Sequence, residues 1–137
     1  MTTPPLPGPP KTVWPCLAYR DAPGAMRFLT DIGFEQTCAY TDADDPSIVE
    51  HAELRWPEGG GVMLGTAQRP ERLMEHHPAG VGSVYVATDE PDAVYERCRR
   101  AGATVVRELR EEEYGSRGFT ITDPEGVIWS FGTYRGE

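Results

Sequence analysis

The fold of this chain is decided by the stretch Tyr114-Gly-Ser-Arg-Gly-Phe-Thr-Ile-Thr-Asp-Pro-Glu-Gly-Val-Ile-Trp-Ser-Phe-Gly-Thr-Tyr134 near its end. Phe119 and Ile121 alternate with small or polar residues, the period of two that is typical of a strand with one buried face. The turn sequence Asp123-Pro-Glu-Gly126 follows, in which proline presets φ and glycine accepts a positive φ. The apolar, aromatic run from Val127 to Thr133 is the returning strand. The stretch therefore predicts a β-hairpin.

The same pattern occurs earlier in the chain. The segment Pro57-Glu-Gly-Gly-Gly-Val-Met-Leu-Gly-Thr66 aligns without a gap on Pro124-Glu-Gly-Val-Ile-Trp-Ser-Phe-Gly-Thr133, 67 positions later. A second pair, Tyr19-Arg-Asp-Ala-Pro-Gly-Ala25 and Ala87-Thr-Asp-Glu-Pro-Asp-Ala93, aligns 68 positions apart, and each member opens a helical pattern. Two copies are too few for a solenoid, so the period predicts a duplicated α+β module.

Each copy predicts one strand, one helix and three further strands. The helix of the first copy is predicted to begin at the N-cap Asp21 and to end at Gly33, and that of the second to begin at Asp89 and to end at Gly102. The first strand of the chain is predicted to start at Val13.

The predicted organisation is a single domain, 12–137, of two βαβββ modules that span about 12–66 and 82–134 and are joined by a linker at 67–81. Its second module has a strand over Thr104–Leu109 and a charged connection from Arg110 to Tyr114. Five prolines in the first ten residues predict that 1–11 is a disordered or loosely attached tail.

Composition excludes several classes of function. The net charge of −9 in 137 residues argues against nucleic acid or an anionic membrane as a partner, because both select Lys- and Arg-rich surfaces. No apolar run approaches the roughly 18 residues that span a bilayer. Cys16, Cys38 and Cys98 form no CxxC pair, and free thiols favour a reducing, cytoplasmic location.

With this duplication, the motif order resembles the vicinal oxygen chelate superfamily, which includes glyoxalase I, extradiol dioxygenases, fosfomycin-resistance enzymes and bleomycin-resistance proteins. The resemblance covers about Val13 to Tyr134 and is strongest over Tyr114 to Tyr134, which is similar to the glyoxalase/bleomycin-resistance branch. It implies that each module curls its sheet into half of an incomplete barrel. Helices would cover the outside, and the concave inside would hold the ligand.

The resemblance also implies four metal-ligand positions, which metalloenzymes of the superfamily fill with His, Gln or Glu. They lie seven residues before each helix-capping Asp and six residues after each turn proline. In this chain the four positions are Trp14, Gly82, Met63 and Ser130. These groups, and their immediate neighbours, are poor ligands for a divalent ion. We therefore expect no metal at these positions and no cofactor. The adjacent His76 and His77 are interpreted as linker surface.

The bleomycin-resistance branch implies a hydrophobic groove that a second subunit often completes, so we expect a homodimer. Alternation along the strands predicts that Trp14 and Met63 face the concave side, whereas Trp129 and Phe131 lie under the helices. The ligand-binding candidates are aromatic, apolar, charged and hydroxyl side chains of the predicted strands and their flanks: Trp14, His51, Glu53, Arg55, Met63, Tyr85, Arg117, Thr120 and Ser130. Tyr40 is a further aromatic residue from which the groove could be made.

Among these candidates, the polar residues that most suggest a functional role are His51, Glu53 and Arg55, because they share one face of a strand whose other face is apolar. A His–Glu pair two residues apart is suited to general acid/base chemistry or to orienting a ligand, and equally to a polar network at a sheet edge or dimer contact. Arg117 is suited to an anionic ligand group or to pairing with Glu111–Glu113.

These observations predict a metal-independent protein that sequesters an aromatic or cationic small molecule. The alternative is a glyoxalase-like lyase or isomerase in which His51 and Glu53 replace the usual metal. A ligand-responsive regulatory module is a third class without a feature in its favour.

Overall fold

A computed structural model describes residues 12–67 and 77–137. The predicted tail and most of the predicted linker, including His76, lie outside these ranges. The described elements follow the order βαβββ twice: β1 (Cys16–Tyr19), α1 (Ala22–Ile32), β2 (Glu35–Thr41), β3 (Val49–Arg55), β4 (Gly61–Thr66), β5 (Ser83–Ala87), α2 (Pro91–Arg100), β6 (Thr104–Glu111), β7 (Arg117–Thr122) and β8 (Ile128–Gly132).

The strands form two four-stranded sheets with the same topology. The strand orders are β1-β4-β3-β2 and β5-β8-β7-β6, and in each sheet the first strand is parallel to the last while the other pairs are antiparallel. The predicted α+β fold of duplicated βαβββ modules is therefore confirmed. Neither described helix has the length and apolar character needed to cross a membrane.

Several boundaries differ from the sequence-based expectation, and α2 ends at Arg100 with Ala101, rather than Gly102, at its C-cap. Strand β1 begins at Cys16, so Trp14 precedes it, and β6 continues to Glu111 through residues predicted as a connection. The N-cap of α2 is Glu90 rather than Asp89, and Glu90 makes no side-chain cap hydrogen bond. By contrast, Asp21 caps α1 as predicted, because its Oδ1 accepts a hydrogen bond from Gly24 N at 3.0 Å.

One hydrophobic core joins the helix-facing sides of the two modules. Phe34 of the first module packs edge-on against Trp129 of the second, with ring centroids 5.5 Å apart, and Trp56 packs against Phe131 at 5.8 Å. Trp129 and Phe131 are almost fully buried under the helices, as predicted. Full burial of a large apolar side chain stabilises a fold by about 1.5–3 kcal/mol, so this shared layer holds the modules together.

A buried carboxylate also connects the modules. Asp123 Oδ1 accepts hydrogen bonds from the backbone nitrogens of the turn that follows it, at 3.0–3.1 Å. Its Oδ2 accepts from Trp129 Nε1 at 3.1 Å and from the hydroxyl of Tyr19, in the first module, at 2.7 Å. Burial and the neighbouring Asp123 raise the pKa of Tyr19, so this hydroxyl remains a donor.

The two Pro-Glu-Gly turns bind reciprocally to the opposite modules. Glu125 accepts hydrogen bonds from Arg20 N and Asp21 N, at 2.7 and 2.8 Å, where α1 begins. Its counterpart Glu58 accepts from Thr88 Oγ1 at 2.6 Å and from Asp89 N at 2.8 Å, just before α2. We call this pair of contacts the reciprocal clasp. Each module thus ties down the strand-to-helix junction of the other.

The end of the linker packs against one arm of this clasp. Gly80 N donates a hydrogen bond to Ala18 O at 3.3 Å, and Gly80 has a φ of +75°. A Cβ at this position would overlap the backbone carbonyl oxygen of Glu125. Glycine is therefore favoured at position 80 for two reasons, the positive φ of the backbone and the close approach of the Glu125 carbonyl.

We expect Gly80→Ala to lower the free energy of unfolding more than Gly115→Ala does. Gly115 has a similar φ of +88°, and no atom of residues 12–67 and 77–137 lies within 4 Å of an added Cβ, so it reports the backbone cost alone, about 1–2 kcal/mol. The overlap with Glu125 should add about 1–3 kcal/mol in Gly80→Ala. Urea unfolding followed by circular dichroism measures both, and equal losses would contradict the proposed contact.

The clasp also predicts a pH dependence of stability. Burial acts to raise the pKa of Glu58, but the hydrogen bonds from Thr88 and Asp89 outweigh it and hold the pKa below its ordinary value of 4.5. A lowered carboxyl pKa stabilises the fold above its unfolded-state value, and this stabilisation is lost as the pH falls through the folded-state value.

The stability difference between wild type and Glu58→Gln should therefore be largest near neutral pH and shrink below about pH 4.5. Urea titrations between neutral and acidic pH measure it. Glu96→Gln is the control, because Glu96 is exposed and its ion pair is with Arg99 of its own helix. A difference for Glu58→Gln that stays constant with pH would be evidence against the clasp.

Candidate functional site: the open faces of the two sheets

Each sheet has one face under the helices and one face turned away from them, which we call the open face. On β3, Ala52 and Leu54 are fully buried on the helix side, whereas His51 and Glu53 are half-buried and Arg55 is exposed on the other. The three polar residues thus share the open face, as alternation predicts. The site is built from these faces because they carry most of the predicted ligand-binding residues.

A row of side chains crosses the open face of the first sheet. Glu53 lies opposite Met63 of β4, Met63 opposite Cys16 of β1, and Cys38 of β2 opposite Glu53. Directly opposite residues of neighbouring strands have Cβ atoms about 4.5–5.5 Å apart. Met63 is therefore on the predicted face, among two thiols and a carboxylate.

A β-bulge places Cys38 in this row. Gln36 pairs with Leu54 and Cys38 pairs with Glu53, so Thr37 is an extra residue in β2. Without the bulge, Thr37 would lie opposite Glu53, and Cys38 would face the helices. Sequence analysis therefore missed Cys38, because strict alternation assigns it to the wrong face.

His51 is held from two sides. Its Nε2 lies 2.7 Å from Glu53 Oε2, and its ring stacks on that of Tyr40, with centroids 6.4 Å apart and planes at 22°. The side chains of His51 and Glu53 are 40% and 30% exposed, so solvent or a ligand reaches the pair.

The other candidates on the first sheet lie at its end. Arg55 Nε donates to Glu35 Oε1 at 2.7 Å, so its charge is already paired. The ring of Trp14 is half-buried and lies over Gly61 of β4. A Cβ added to Gly61 would lie 3.0 Å from the ring atom Cζ3. Gly61 pairs with Arg55 on the open face. Trp14 thus reaches the predicted face although it precedes β1.

The open face of the second sheet carries hydroxyl groups. Thr120 and Ser130 lie opposite each other, with their side-chain oxygens 2.9 Å apart, and Tyr85 lies opposite Ser130. The Tyr85 hydroxyl donates to the carbonyl of Tyr134 at 2.6 Å. These three predicted residues therefore form one row.

Arg107 of β6 extends this row, since it pairs with Thr120. Its Nε is buried and has no hydrogen-bond partner among the described residues, while its Nη2 lies 3.6 Å from Glu112. Sequence analysis did not single it out, because register shifts along β6 decide which of several arginines reaches the open face.

Arg117 is not brought to the open faces. It lies on the helix side of β7 and binds both carboxylate oxygens of Asp92 in α2, at 2.8 and 2.9 Å, as well as Glu111 at 3.3 Å. The predicted pairing with Glu111–Glu113 is thus present at Glu111, and Asp92 is an additional partner. Hydrogen bonds from Arg117 lower the pKa of Asp92.

Two cavities of the described structure lie mainly away from the open faces, although the smaller one reaches Tyr85. A groove of about 410 Å³ runs between α1 and β2, lined by residues that include Met26 and Ala39, on the helix side. A smaller cavity of about 230 Å³ lies between the modules, beside Trp56 and Tyr85. The larger groove has the size of a ligand pocket, but its charged lining is limited to Arg27 and Asp31. The side chains suited to recognition are on the open faces.

A family model, the Glyoxalase/Bleomycin resistance protein/Dioxygenase superfamily, matches residues 11–131. The chain belongs to this superfamily. TioX from Micromonospora sp. ML1 has a similar structure, with a TM-score of 0.74 and 25% identity over 90% of this chain and all of that one. A bleomycin resistance determinant encoded on the transposon Tn5 superposes with a TM-score of 0.64 at 15% identity, over 93% of this chain and all of that one, and shows the shared fold.

A sequence relative adds little to these matches. An uncharacterised protein of Mycobacterium bovis is 36% identical over 50 residues, which cover 36% of this chain and 33% of that protein. The match thus spans about a third of the relative's length.

The four metal-ligand positions that the resemblance implies are counted from the N-caps and the turn prolines. Seven residues before the N-caps Asp21 and Glu90 are Trp14 and Ser83, so the observed cap moves the second position from Gly82 to Ser83. The other two, Met63 and Ser130, lie on the open faces. An indole, a thioether and two hydroxyls occupy the four positions, and none is a strong ligand for a borderline divalent ion.

A different donor cluster lies beside these positions. Ligand atoms of Cys38, His51 and Glu53 all lie within 4.8 Å of one another. Partial burial and the negative charge of Glu53 raise the pKa of Cys38. The sequence-based expectation of no metal rested on the superfamily's four positions. This cluster could not be predicted from the sequence, because the β2 bulge brings Cys38 to the same face as His51 and Glu53.

Proposed function

We propose that this protein binds and sequesters an aromatic or cationic small molecule on the open faces of its sheets, without a metal at the superfamily's usual positions. The observation that carries the proposal is the set of side chains at those positions, Trp14, Ser83, Met63 and Ser130. Trp14 and Met63 offer apolar surface to a planar ligand, and none of the four side chains holds a divalent cation well.

Aromatic rings and charge on the open faces support the same ligand class. Tyr40 is 62% exposed and Tyr85 is 49% exposed, so the rings of both are accessible. Aromatic faces attract cations by roughly 0.5–2 kcal/mol, and Glu53 adds a carboxylate nearby. The net charge of −9 favours the approach of a cationic ligand.

Assembly and location belong to the same proposal. We infer that a second copy of the chain completes the groove, as the resemblance to the bleomycin-resistance branch implies, and that the protein works in the cytoplasm. The second inference rests on thiol chemistry: Cys16, Cys38 and Cys98 are all free, and burial raises the pKa of Cys98 to about 12.

A second candidate function is favoured by one contact, the 2.7 Å distance between His51 Nε2 and Glu53 Oε2. A carboxylate that orients an imidazole is an arrangement used for proton transfer. In this alternative the protein is a glyoxalase-like lyase or isomerase, and His51 is the acid or base.

The sequestration proposal predicts that Trp14 reports ligand binding. Trp56 and Trp129 are 5% and 0% exposed, so quenching of tryptophan fluorescence by a bound ligand should come mainly from Trp14. We expect bleomycin or a planar cationic dye such as thioflavin T to quench wild type. Trp14→Ala should weaken binding about tenfold or more, equivalent to about 1.4 kcal/mol or more.

Thermal shift measured with the same compounds provides the second readout, because a ligand that binds the folded state raises Tm. Val13→Ala is the control, since Val13 is 85% exposed next to Trp14. His51→Gln should retain binding. If Trp14→Ala binds every active compound as well as wild type, the open face of the first sheet is not the site.

The catalytic alternative predicts the opposite pattern for the polar pair. With α-oxoaldehyde–thiol adducts as glyoxalase-type substrates, His51→Gln and Glu53→Gln should each reduce kcat/KM by about 100-fold or more while leaving Tm nearly unchanged. Arg55→Gln is the control on the same face. Turnover that survives in His51→Gln would contradict this role.

A further inference from the structure

We propose that Cys38, His51 and Glu53 form a binding site for a Zn²⁺-like divalent transition metal on the open face of the first sheet. This inference goes beyond the proposed sequestration, because it uses none of the superfamily's four metal positions and requires no organic ligand. The three residues supply one sulfur, one nitrogen and one oxygen donor.

The donor set matches a borderline metal ion. Zinc is bound by cysteine thiolate at about 2.3 Å, by histidine nitrogen at about 2.0–2.1 Å and by carboxylate oxygen at about 2.0–2.2 Å. Tetrahedral coordination at these lengths places the donors roughly 3.3–3.7 Å from one another. The donor atoms lie within 4.8 Å of one another, and His51 Nε2 is 2.7 Å from Glu53 Oε2. Metal binding would therefore replace this hydrogen bond, and side-chain rotations would bring the wider pairs closer by about 1 Å.

The backbone holds the three donors on two paired strands. The bulge at Thr37 turns Cys38 to the open face, and Thr37 Oγ1 donates to the carbonyl of Glu53 at 3.2 Å, which pins the bulge to β3. Stacking on Tyr40 restrains the ring of His51. Sites built on strands keep their geometry better than sites on loops.

The charges of the site also favour a dication. Arg55, a nearby cation on this face, is paired with Glu35 at 2.7 Å. Metal binding would transfer the thiol proton of Cys38 to the buffer, so one thiolate and one carboxylate would balance the two positive charges of the metal. The thioether of Met63, opposite Glu53, adds a soft group beside the site.

Three protein ligands leave one coordination position open. All three residues are half-buried rather than sealed, so this position faces solvent, as in zinc sites that exchange a water for a substrate or ligand. A bound metal would engage His51 and Glu53 as ligands. The same residues could not then serve as the free acid/base pair of the catalytic alternative.

Metal titration of the full chain tests the site directly. Protein freed of its purification tag and of metals with a chelator, and reduced with a phosphine, should bind one Co²⁺ per chain. Coordination by Cys38 should produce a thiolate-to-cobalt charge-transfer band that Zn²⁺ abolishes by displacement. Cys38→Ser, His51→Ala and Glu53→Ala should each weaken binding at least about 100-fold, because the alanines leave no donor atom in place of the imidazole or the carboxylate.

Three matched controls make the result specific. Cys16→Ser removes the exposed thiol of the same row, Glu96→Gln removes an exposed carboxylate of α2, and a variant lacking His76 and His77 removes the linker histidines. Each should bind Co²⁺ as wild type does. Circular dichroism of every variant establishes that it is folded, and protection of Cys38 from iodoacetamide by Zn²⁺, measured by peptide mass spectrometry, gives a second readout.

The two proposals fail separately. Three results would overturn the metal site. The first is a wild-type protein that gives no saturable one-to-one Co²⁺ signal, and the second is a Cys38→Ser variant that keeps the charge-transfer band. The third is a signal that disappears when Cys16 or the linker histidines are removed. Binding of the organic ligand by chelator-treated protein tests sequestration without reference to the metal.

Discussion

The arrangement of the molecule depends on the reciprocal clasp between its two modules. Glu125 binds the backbone nitrogens at the start of α1, and Glu58 binds the corresponding junction before α2. Hydrogen bonds to a charged acceptor contribute about 1.5–3 kcal/mol each, and the buried pair of Tyr19 and Asp123 adds to them. These contacts join equivalent places in the two modules, on either side of the core that the modules share.

The two modules share a backbone plan but present different chemistry on their open faces. The first sheet carries sulfur, imidazole and carboxylate groups, typified by Cys38, His51 and Glu53, whereas the second carries hydroxyls and a guanidinium, typified by Ser130 and Arg107. The helix-facing sides, by contrast, both consist of large apolar residues that merge into one core. Duplication has kept the packing and varied the surface on which recognition takes place.

The sequence predicted the features that occur in both modules. It did not predict the features that depend on a single inserted residue or on a contact between residues far apart in the chain. Alternation and the two Pro-Glu-Gly turns predicted the topology and the burial of Trp129. They could not predict the bulge at Thr37, because one extra residue in a strand leaves no periodic trace, and so the position of Cys38 was lost. The cap at Glu90 was also missed, since the preceding Thr88 and Asp89 are held by Glu58, 30 residues away along the chain.

The clasp also has a consequence for how such a chain could have originated. In a single βαβββ unit, no Pro-Glu-Gly turn from another unit binds the strand-to-helix junction. In two identical units related by a twofold axis, the turn of each unit can bind the junction of the other. Fusion of the genes for such a pair converts an encounter between molecules into a tethered one, for which the effective concentration is on the order of millimolar. A symmetric pair of half-length chains could therefore form the same clasp, whereas a single linked chain allows its two halves to differ in sequence.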